Sequence, residues 1–262
     1  MIVNPKKRLE NVSVLLTGGA GHLGKSFAYE IAKNGGFVYL TDLDSSKLES
    51  VILNINKAFP NSCDGSIMDI NSENSISRCL RLIKEKEITI NTLINNAYPF
   101  NKSYGADIEN ISLDDFNENI SMHVGGYFSV TRNFLNSFSN NEPLSVLNIA
   151  SIYGVTSPDF EIYDGEKFTM PLEYGIAKSS IIYLTKYFSA YYKNTSLRFN
   201  SISPGGISRD HSENFTSKYK SKCLEKGLLN EDDIIGSMIF LISSESKYIK
   251  GQNIVIDDGF TL

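Results

Sequence analysis

Val12-Ser13-Val14-Leu15-Leu16-Thr17-Gly18-Gly19-Ala20-Gly21-His22-Leu23-Gly24 is the stretch from which the rest of the chain can be read. An apolar, β-branched run delivers the backbone into glycines that open onto a helical pattern, so the expected order is strand, tight turn, helix. Gly19 to Gly24 fits G-x-G-x-x-G, in which missing side chains let the backbone approach a pyrophosphate held at the helix N-terminus. Alone, such a hexapeptide is also an ordinary turn; the strand before it and the helix after it give it weight. The residues expected to line the turn are Gly18, Gly21, His22, Leu23 and Gly24, with His22 contributing its backbone.

Working outward, helical spacing over residues 25–34 puts Phe27, Ala28 and Ile31 on one face, and Gly35-Gly36 ends it. A strand over residues 37–40 follows, closed by Thr41-Asp42. A carboxylate at that strand end accepts hydrogen bonds from adenosine ribose hydroxyls and repels the additional phosphate of NADP, so Asp42 selects NAD over NADP. A solvated turn residue is the other reading. Helices are expected over residues 45–59, 72–86, 113–139, 174–193 and 231–243, with further strands over 92–94, 145–149, 197–202 and 253–256. Alternation of this kind predicts an α/β fold: one doubly wound, Rossmann-type parallel sheet with helices on both faces, occupying residues 1–262 as a single domain. No linker or repeat divides it.

Composition removes several function classes. The 262 residues carry 25 Lys and Arg against 30 Asp and Glu, a formal charge of -5, which argues against a nucleic-acid partner. The longest apolar runs fall far short of the roughly 20 residues needed to cross a bilayer, so no membrane partner is expected. The basic N-terminus lacks an apolar stretch after it, and three scattered cysteines show no C-x-x-C pair. The expectation is a cytoplasmic protein without a metal site.

The second chemical motif is Tyr174-Gly175-Ile176-Ala177-Lys178, whose i, i+4 spacing stacks the two polar side chains on one helix face. A free phenol has a pKa of about 10, so an adjacent ammonium that favours phenolate brings proton exchange closer to neutrality. On its own, Y-x-x-x-K also describes a half-buried tyrosine and a solvated lysine.

Taken with the glycine turn and the acidic strand end, this motif makes the chain resemble the short-chain dehydrogenase/reductase family from Val12 to Leu262. Asn95-Asn96-Ala97-Tyr98 resembles the family's Asn-Asn-Ala-Gly segment, with Tyr98 in place of glycine, and Asp69-Ile70 resembles the pair that contacts adenine. Asn148-Ile149-Ala150-Ser151 resembles the strand end whose serine binds the substrate oxygen. Pro204-Gly205-Gly206-Ile207 resembles the loop lining nicotinamide, and Gly251-Gln252 to Asp257-Asp258-Gly259 the C-terminal signature. The resemblance implies hydride transfer between a nicotinamide cofactor, NAD, and an alcohol or ketone. Ser151, Tyr174 and Lys178 would be catalytic, and Asp69, Ile70, Asn95, Ala97, Pro204, Gly205 and Ile207 would join Tyr174 and Lys178 around the cofactor. It also implies a homodimer or homotetramer, for which Tyr183, Tyr187, Tyr191 and Tyr192 offer an aromatic interface or, equally, a core stripe.

Three departures stand out. The family's helix asparagine, which supports a water chain to the lysine, is matched by His123 when the chain is aligned on Gly126-Tyr127-Phe128. Imidazole can relay a proton or simply pack, and Asn119 one turn earlier is the alternative. Ser151 and Tyr174 are separated by a longer segment than is usual, polar and aromatic from Tyr153 to Pro171 and expected to lie across the mouth of the site. It resembles that of a subgroup associated with bacterial surface sugars and flagellin modification. Arg209 stands where a threonine often contacts nicotinamide, and either holds a substrate phosphate or carboxylate or is solvated. Residues 208–222, including His211, read as a polar, mobile substrate lid. The substrate these features imply is a small polar molecule, a sugar derivative for surface-glycan synthesis; a 3-oxoacyl thioester reductase and a non-catalytic dinucleotide sensor are the alternatives.

Overall fold

The computed structural model describes residues 7–138 and 144–262. Seven strands form one parallel sheet: β1 (Ser13–Thr17), β2 (Phe37–Asp42), β3 (Cys63–Ile67), β4 (Thr92–Asn95), β5 (Ser145–Ile149), β6 (Arg198–Pro204) and β7 (Asn253–Ile256), in the order β3-β2-β1-β4-β5-β6-β7. Leu16 pairs with Leu40 of β2 on one side and Ile94 of β4 on the other. Chain direction of travel across the sheet reverses between β1 and β4, and the crevice outside the carboxyl ends of those strands is where doubly wound sheets bind ligands.

Both faces of the sheet are covered, which is why its central strands are apolar throughout. Helices α1 (His22–Lys33), α2 (Ser45–Ala58) and α8 (Glu231–Ile242) build one core with Val14, Leu16, Val38 and Leu40. Helices α3 (Glu73–Glu85), α5 (Gly126–Phe138) and α6 (Leu172–Tyr191) build the other with Leu15, Tyr39 and Leu93. The period-2 alternation of strand side chains sends Leu15 to one core and its neighbours Val14 and Leu16 to the other.

Strand β3 has no counterpart in the apolar pattern. Cys63-Asp64-Gly65-Ser66-Ile67 is an edge strand paired only with β2, so it needs no continuous apolar run. The helix expected over residues 113–139 is two helices, α4 (Leu113–Ile120) and α5, joined by a π-helical turn at Ser121–Gly125 that carries His123. Its expected end at Ser139 and the first six residues of the chain lie outside the described residues. The segment expected as a polar substrate lid, residues 208–222, is polar only in part. A helix, α7 (Glu213–Ser221), forms there, and Phe215 and Tyr219 are buried with Ile162, Tyr163 and Leu228 in a third apolar cluster. No helix among the described residues is long and apolar enough to cross a membrane.

Candidate active site

The glycine turn is shaped by close approach. Gly18 sits at φ +64°, in the left-handed region, and a Cβ there would lie 2.8 Å from Ala97 Cα. At Gly24 a Cβ would lie 2.1 Å from the Gly18 carbonyl oxygen, a distance that backbone cannot accommodate. The turn thus packs α1 directly onto the end of β1. Gly21, the residue before α1, provides no side-chain cap, so the first amides of the helix open toward the cleft.

A cleft of about 660 Å³ runs along the carboxyl ends of the strands. Gly18, Gly21, His22 and Leu23 line it beside Asp42, with Asp69 and Ile70 after β3, Ala97 after β4, and Pro204, Gly205 and Ile207 after β6. Ser151, Tyr174 and Lys178 line the same cleft. Sites spread over more than 180 positions of sequence therefore converge because parallel strands deliver all their carboxyl ends to one edge. A dinucleotide fits the adenosine half: backbone amides without side chains in front of them and a carboxylate at the end of β2. Asp42 also braces the turn, accepting from Ala20 N at 3.0 Å and from Leu43 N at 2.8 Å. His22 does more than lend its backbone, since its Nε2 comes within 2.5 Å of Glu231 Oε1.

Three expected site residues lie off the cleft. Gly24 is packed under the turn. Asn95 is fully buried below the cleft floor, where its amide donates to Thr131 Oγ1 and Asn148 Oδ1. The neighbouring Asn96 is the one that reaches the turn, donating to the carbonyls of Thr17 and Gly18 at 3.1 and 3.0 Å. One position of strand alternation separates the two, and a doubled asparagine does not reveal which faces the turn. His123 is fully buried, with neither ring nitrogen hydrogen-bonded, and its ring lies 4.9 Å from that of Tyr98. Burial and the charge of Lys178 push His123 down to about 3, so it is neutral near pH 7.

Lys178 is 3% exposed and donates to the Ile149 carbonyl at 2.9 Å. Its ammonium lies 5.5 to 5.7 Å from the ring centroids of Tyr174, Tyr98 and Tyr127. With no carboxylate to offset desolvation, burial pushes it down to about 7. Burial raises Tyr174, and the groups opposing that are the Ser151 hydroxyl and Arg209. The amine is committed to a carbonyl and lies over the ring face. Asn119 is also committed elsewhere, bonded to Asn101 and to the buried Glu173, so it faces the layer behind Tyr174.

The substrate end of the cleft is made by the long segment after Ser151. Its Met170 and Pro171 line the cleft, and Pro171 immediately precedes α6, setting Tyr174 in the first turn. Tyr153 and Tyr163 join through their hydroxyls at 2.8 Å. The segment is clipped to α7 by Lys218, which donates to the carbonyls of Glu161 and Asp164, and by Asn214 and Ser212, which hold Glu166. Helix α7 is tied in turn to the loop after β6, because Gly206 N donates to Tyr219 Oη at 2.6 Å. Met170 and Pro171 belong to the segment expected across the mouth of the site, whereas the pairing of the Tyr98 and Tyr104 hydroxyls had no signal in the sequence.

Residues 19–261 match the family described as enoyl-(acyl carrier protein) reductase. A post-translational flagellin modification protein A of Campylobacter coli is 31% identical over 255 residues, covering 97% of this chain and 100% of the relative. A 3-oxoacyl-[acyl-carrier-protein] reductase of Thermotoga maritima is 25% identical, with 97% and 100% covered. A short chain dehydrogenase from Leptospira borgpetersenii, solved with bound NAD+, superposes with a TM-score of 0.86 at 28% identity, covering 100% of this chain and 97% of that one. With the glycine turn, the Tyr174–Lys178 helix face and Ser151 on a single cleft, the chain belongs to the short-chain dehydrogenase/reductase family and is an oxidoreductase.

Proposed function

We propose that the chain is an NAD-dependent oxidoreductase that interconverts a secondary alcohol and a ketone on a polar, sugar-like substrate for surface-glycan synthesis. The observation that carries the reading is Lys178, a buried amine without a carboxylate partner, enclosed by tyrosine rings on the wall it shares with Tyr174 and Ser151. Bound NAD would supply the hydride acceptor. The amides at the start of α1 would hold its diphosphate, Asp42 its adenosine ribose, and Asp69 and Ile70 would flank its adenine, with Ala97, Pro204, Gly205 and Ile207 along the remainder.

In this reading Tyr174 exchanges the hydroxyl proton of the substrate, and Ser151 holds the same oxygen by a hydrogen bond. Lys178 fixes a ribose hydroxyl and lends positive charge to the site. His123, neutral and unbonded beside Lys178, can accept at one ring nitrogen and donate at the other, which suits it to pass a proton onward from the amine. The flagellin-modification relative supports a sugar substrate. The thioester reductase relative keeps a 3-oxoacyl thioester as the second reading, and Asp42, which repels NADP, weighs against it.

Domain and assembly follow the same logic. We read the chain as one dinucleotide-binding unit that pairs with further copies through α6, where Tyr183, Tyr187 and Tyr191 are 52 to 68% exposed while Tyr192 packs inward on Phe199. Free thiols at Cys63, Cys79 and Cys223 suit the cytoplasm. The test follows nicotinamide absorbance with NAD or NADP against polyols, sugar derivatives and an acetoacetyl thioester. Turnover of a sugar with NAD is the expected result. Thioester reduction with NADPH alone would overturn both the substrate and the role given to Asp42.

A further inference from the structure

Charge is distributed unevenly along the cleft. Its two lining carboxylates, Asp42 and Asp69, follow β2 and β3 at the adenosine end. Beyond Tyr174 the lining groups that can carry charge are Lys178, Arg209 and His211, and no lining residue there is acidic, in a chain whose formal charge is -5. Of the acids in the layer above, Asp159 and Glu161 pair with Lys222 and Glu166 with Ser212 and Asn214, while Asp164 is exposed and does not line the cleft. Asp210 and Glu213 are exposed and do not line the cleft.

Arg209 is positioned without being used. Ser208 N donates to the Leu229 carbonyl at 2.7 Å, Ile207 bridges to Leu229, and the Arg209 carbonyl accepts from His211 N at 2.8 Å, so the backbone on both sides of the guanidinium is pinned. Among the described residues its side chain has neither a hydrogen bond nor an ion pair, yet its charge reaches Tyr174 and Tyr98 and opposes the rise in both phenols. His211 stands edge-on to Phe215 at 4.9 Å, which holds its imidazole at the cleft wall. An unpaired fork of donors on the cleft wall it shares with the proton-exchanging phenol matches a planar or tetrahedral anion.

We infer that Arg209, with His211 beside it, binds a phosphate or carboxylate carried by the substrate, close to the carbon at which hydride is transferred. The inference rests on the oxidoreductase reading above and narrows its substrate class to anionic molecules. A neutral polyol would leave the guanidinium without a charged partner in the cleft.

The full chain, saturated with NAD so that the diphosphate subsite is filled, is titrated calorimetrically with inorganic phosphate and with acetate, alongside Arg209→Gln and Arg209→Lys. Saturable binding of phosphate or of acetate is expected, identifying which anion the substrate carries, with a loss of about 10-fold or more in Arg209→Gln and partial recovery in Arg209→Lys. Equal affinities in wild type and Arg209→Gln, or no binding of either anion, would overturn the inference. So would a matching loss of NAD affinity in Arg209→Gln, which would place the guanidinium on the cofactor. Hydride transfer on a neutral alcohol, lost in Tyr174→Phe and unchanged in Arg209→Gln, would remove the anion site and keep the oxidoreductase. Anion binding that depends on Arg209 without hydride transfer to any alcohol would keep the site and remove the oxidoreductase reading.

Discussion

The two halves of the cleft are built by different means. Around the glycine turn the shape is set by what is missing: Gly18 and Gly24 let β1, α1 and the segment after β4 come within backbone contact, and one carboxylate, Asp42, closes the turn. Across from it the shape is set by what is added. The segment from Tyr153 to Pro171 and helix α7 hold one another through a buried aromatic cluster and a mesh of side-chain bonds to main-chain carbonyls. A steric requirement at Gly18 and Gly24, six positions apart, sets the shape of the first half. Long-range packing sets the shape of the second half, and the bond from Gly206 N to Tyr219 Oη ties α7 to the loop after β6.

The largest effect expected is chemical. Tyr174→Phe removes the proton-exchanging oxygen and keeps the ring, so kcat/KM should fall by ~10²–10⁴ while NAD affinity stays within a few-fold. Unchanged turnover would take the phenol out of the reaction altogether.

Phe215→Ala separates the halves. Truncating a buried phenylalanine costs about 3 kcal/mol at the low end for a core site, and here the loss should stay local. Hydrogen exchange should speed up in α7 and KM for substrate should rise, with the Kd for NAD unmoved. If NAD weakened by the same factor, the two halves would be one cooperative unit. Gly24→Ala is the reciprocal change, adding a methyl where backbone oxygen stands 2.1 Å away. Overpacking of about 1–3 kcal/mol should appear as weaker NAD binding and a lower Tm, with hydrogen exchange in α7 unaffected.

The smallest effect is a pH slope. Burial pushes Lys178 down to about 7 from its ordinary 10.5, so above pH 7 the unfolded chain holds a proton that the folded chain does not. Stability therefore rises with pH, by at most about 1.4 kcal/mol per unit for one group. The buried thiols Cys63 and Cys79, pushed up to about 12 and about 11, oppose this above pH 9. Denaturant midpoints of wild type and Lys178→Met, compared between pH 7 and 9 without NAD, should converge in slope only if another group carries the effect; a steeper wild type is the expected result.

Much of this was legible from residues alone, and unevenly so. Periodicity located β1, β2 and β4 to β6 because strands buried on both faces must be apolar throughout, and it located the edge strand β7 from its Ile254-Val255-Ile256 run; the other edge strand, β3, was missed because Cys63-Asp64-Gly65-Ser66-Ile67 carries no such run. It ran α4 and α5 together because a π-helical turn changes the backbone without interrupting the apolar spacing around His123. Asn95 was taken for Asn96 because adjacent identical residues carry no sign of which faces the turn.

What the sequence determined by itself were the parts whose physics is local: the strand-turn-helix at residues 12–24, the carboxylate that ends β2, the one-turn spacing of Tyr174 and Lys178, and the fold class that follows from alternation. What only the tertiary structure decided were the parts that depend on partners distant in the chain. Lys178 is spent on the Ile149 carbonyl, Asn119 on Asn101 and Glu173, residues 213–221 become a packed helix, and Arg209 is left on the wall it shares with Tyr174 without an ion pair among the described residues. Burial and partner choice are sums over contacts from many segments, and no window of sequence contains them.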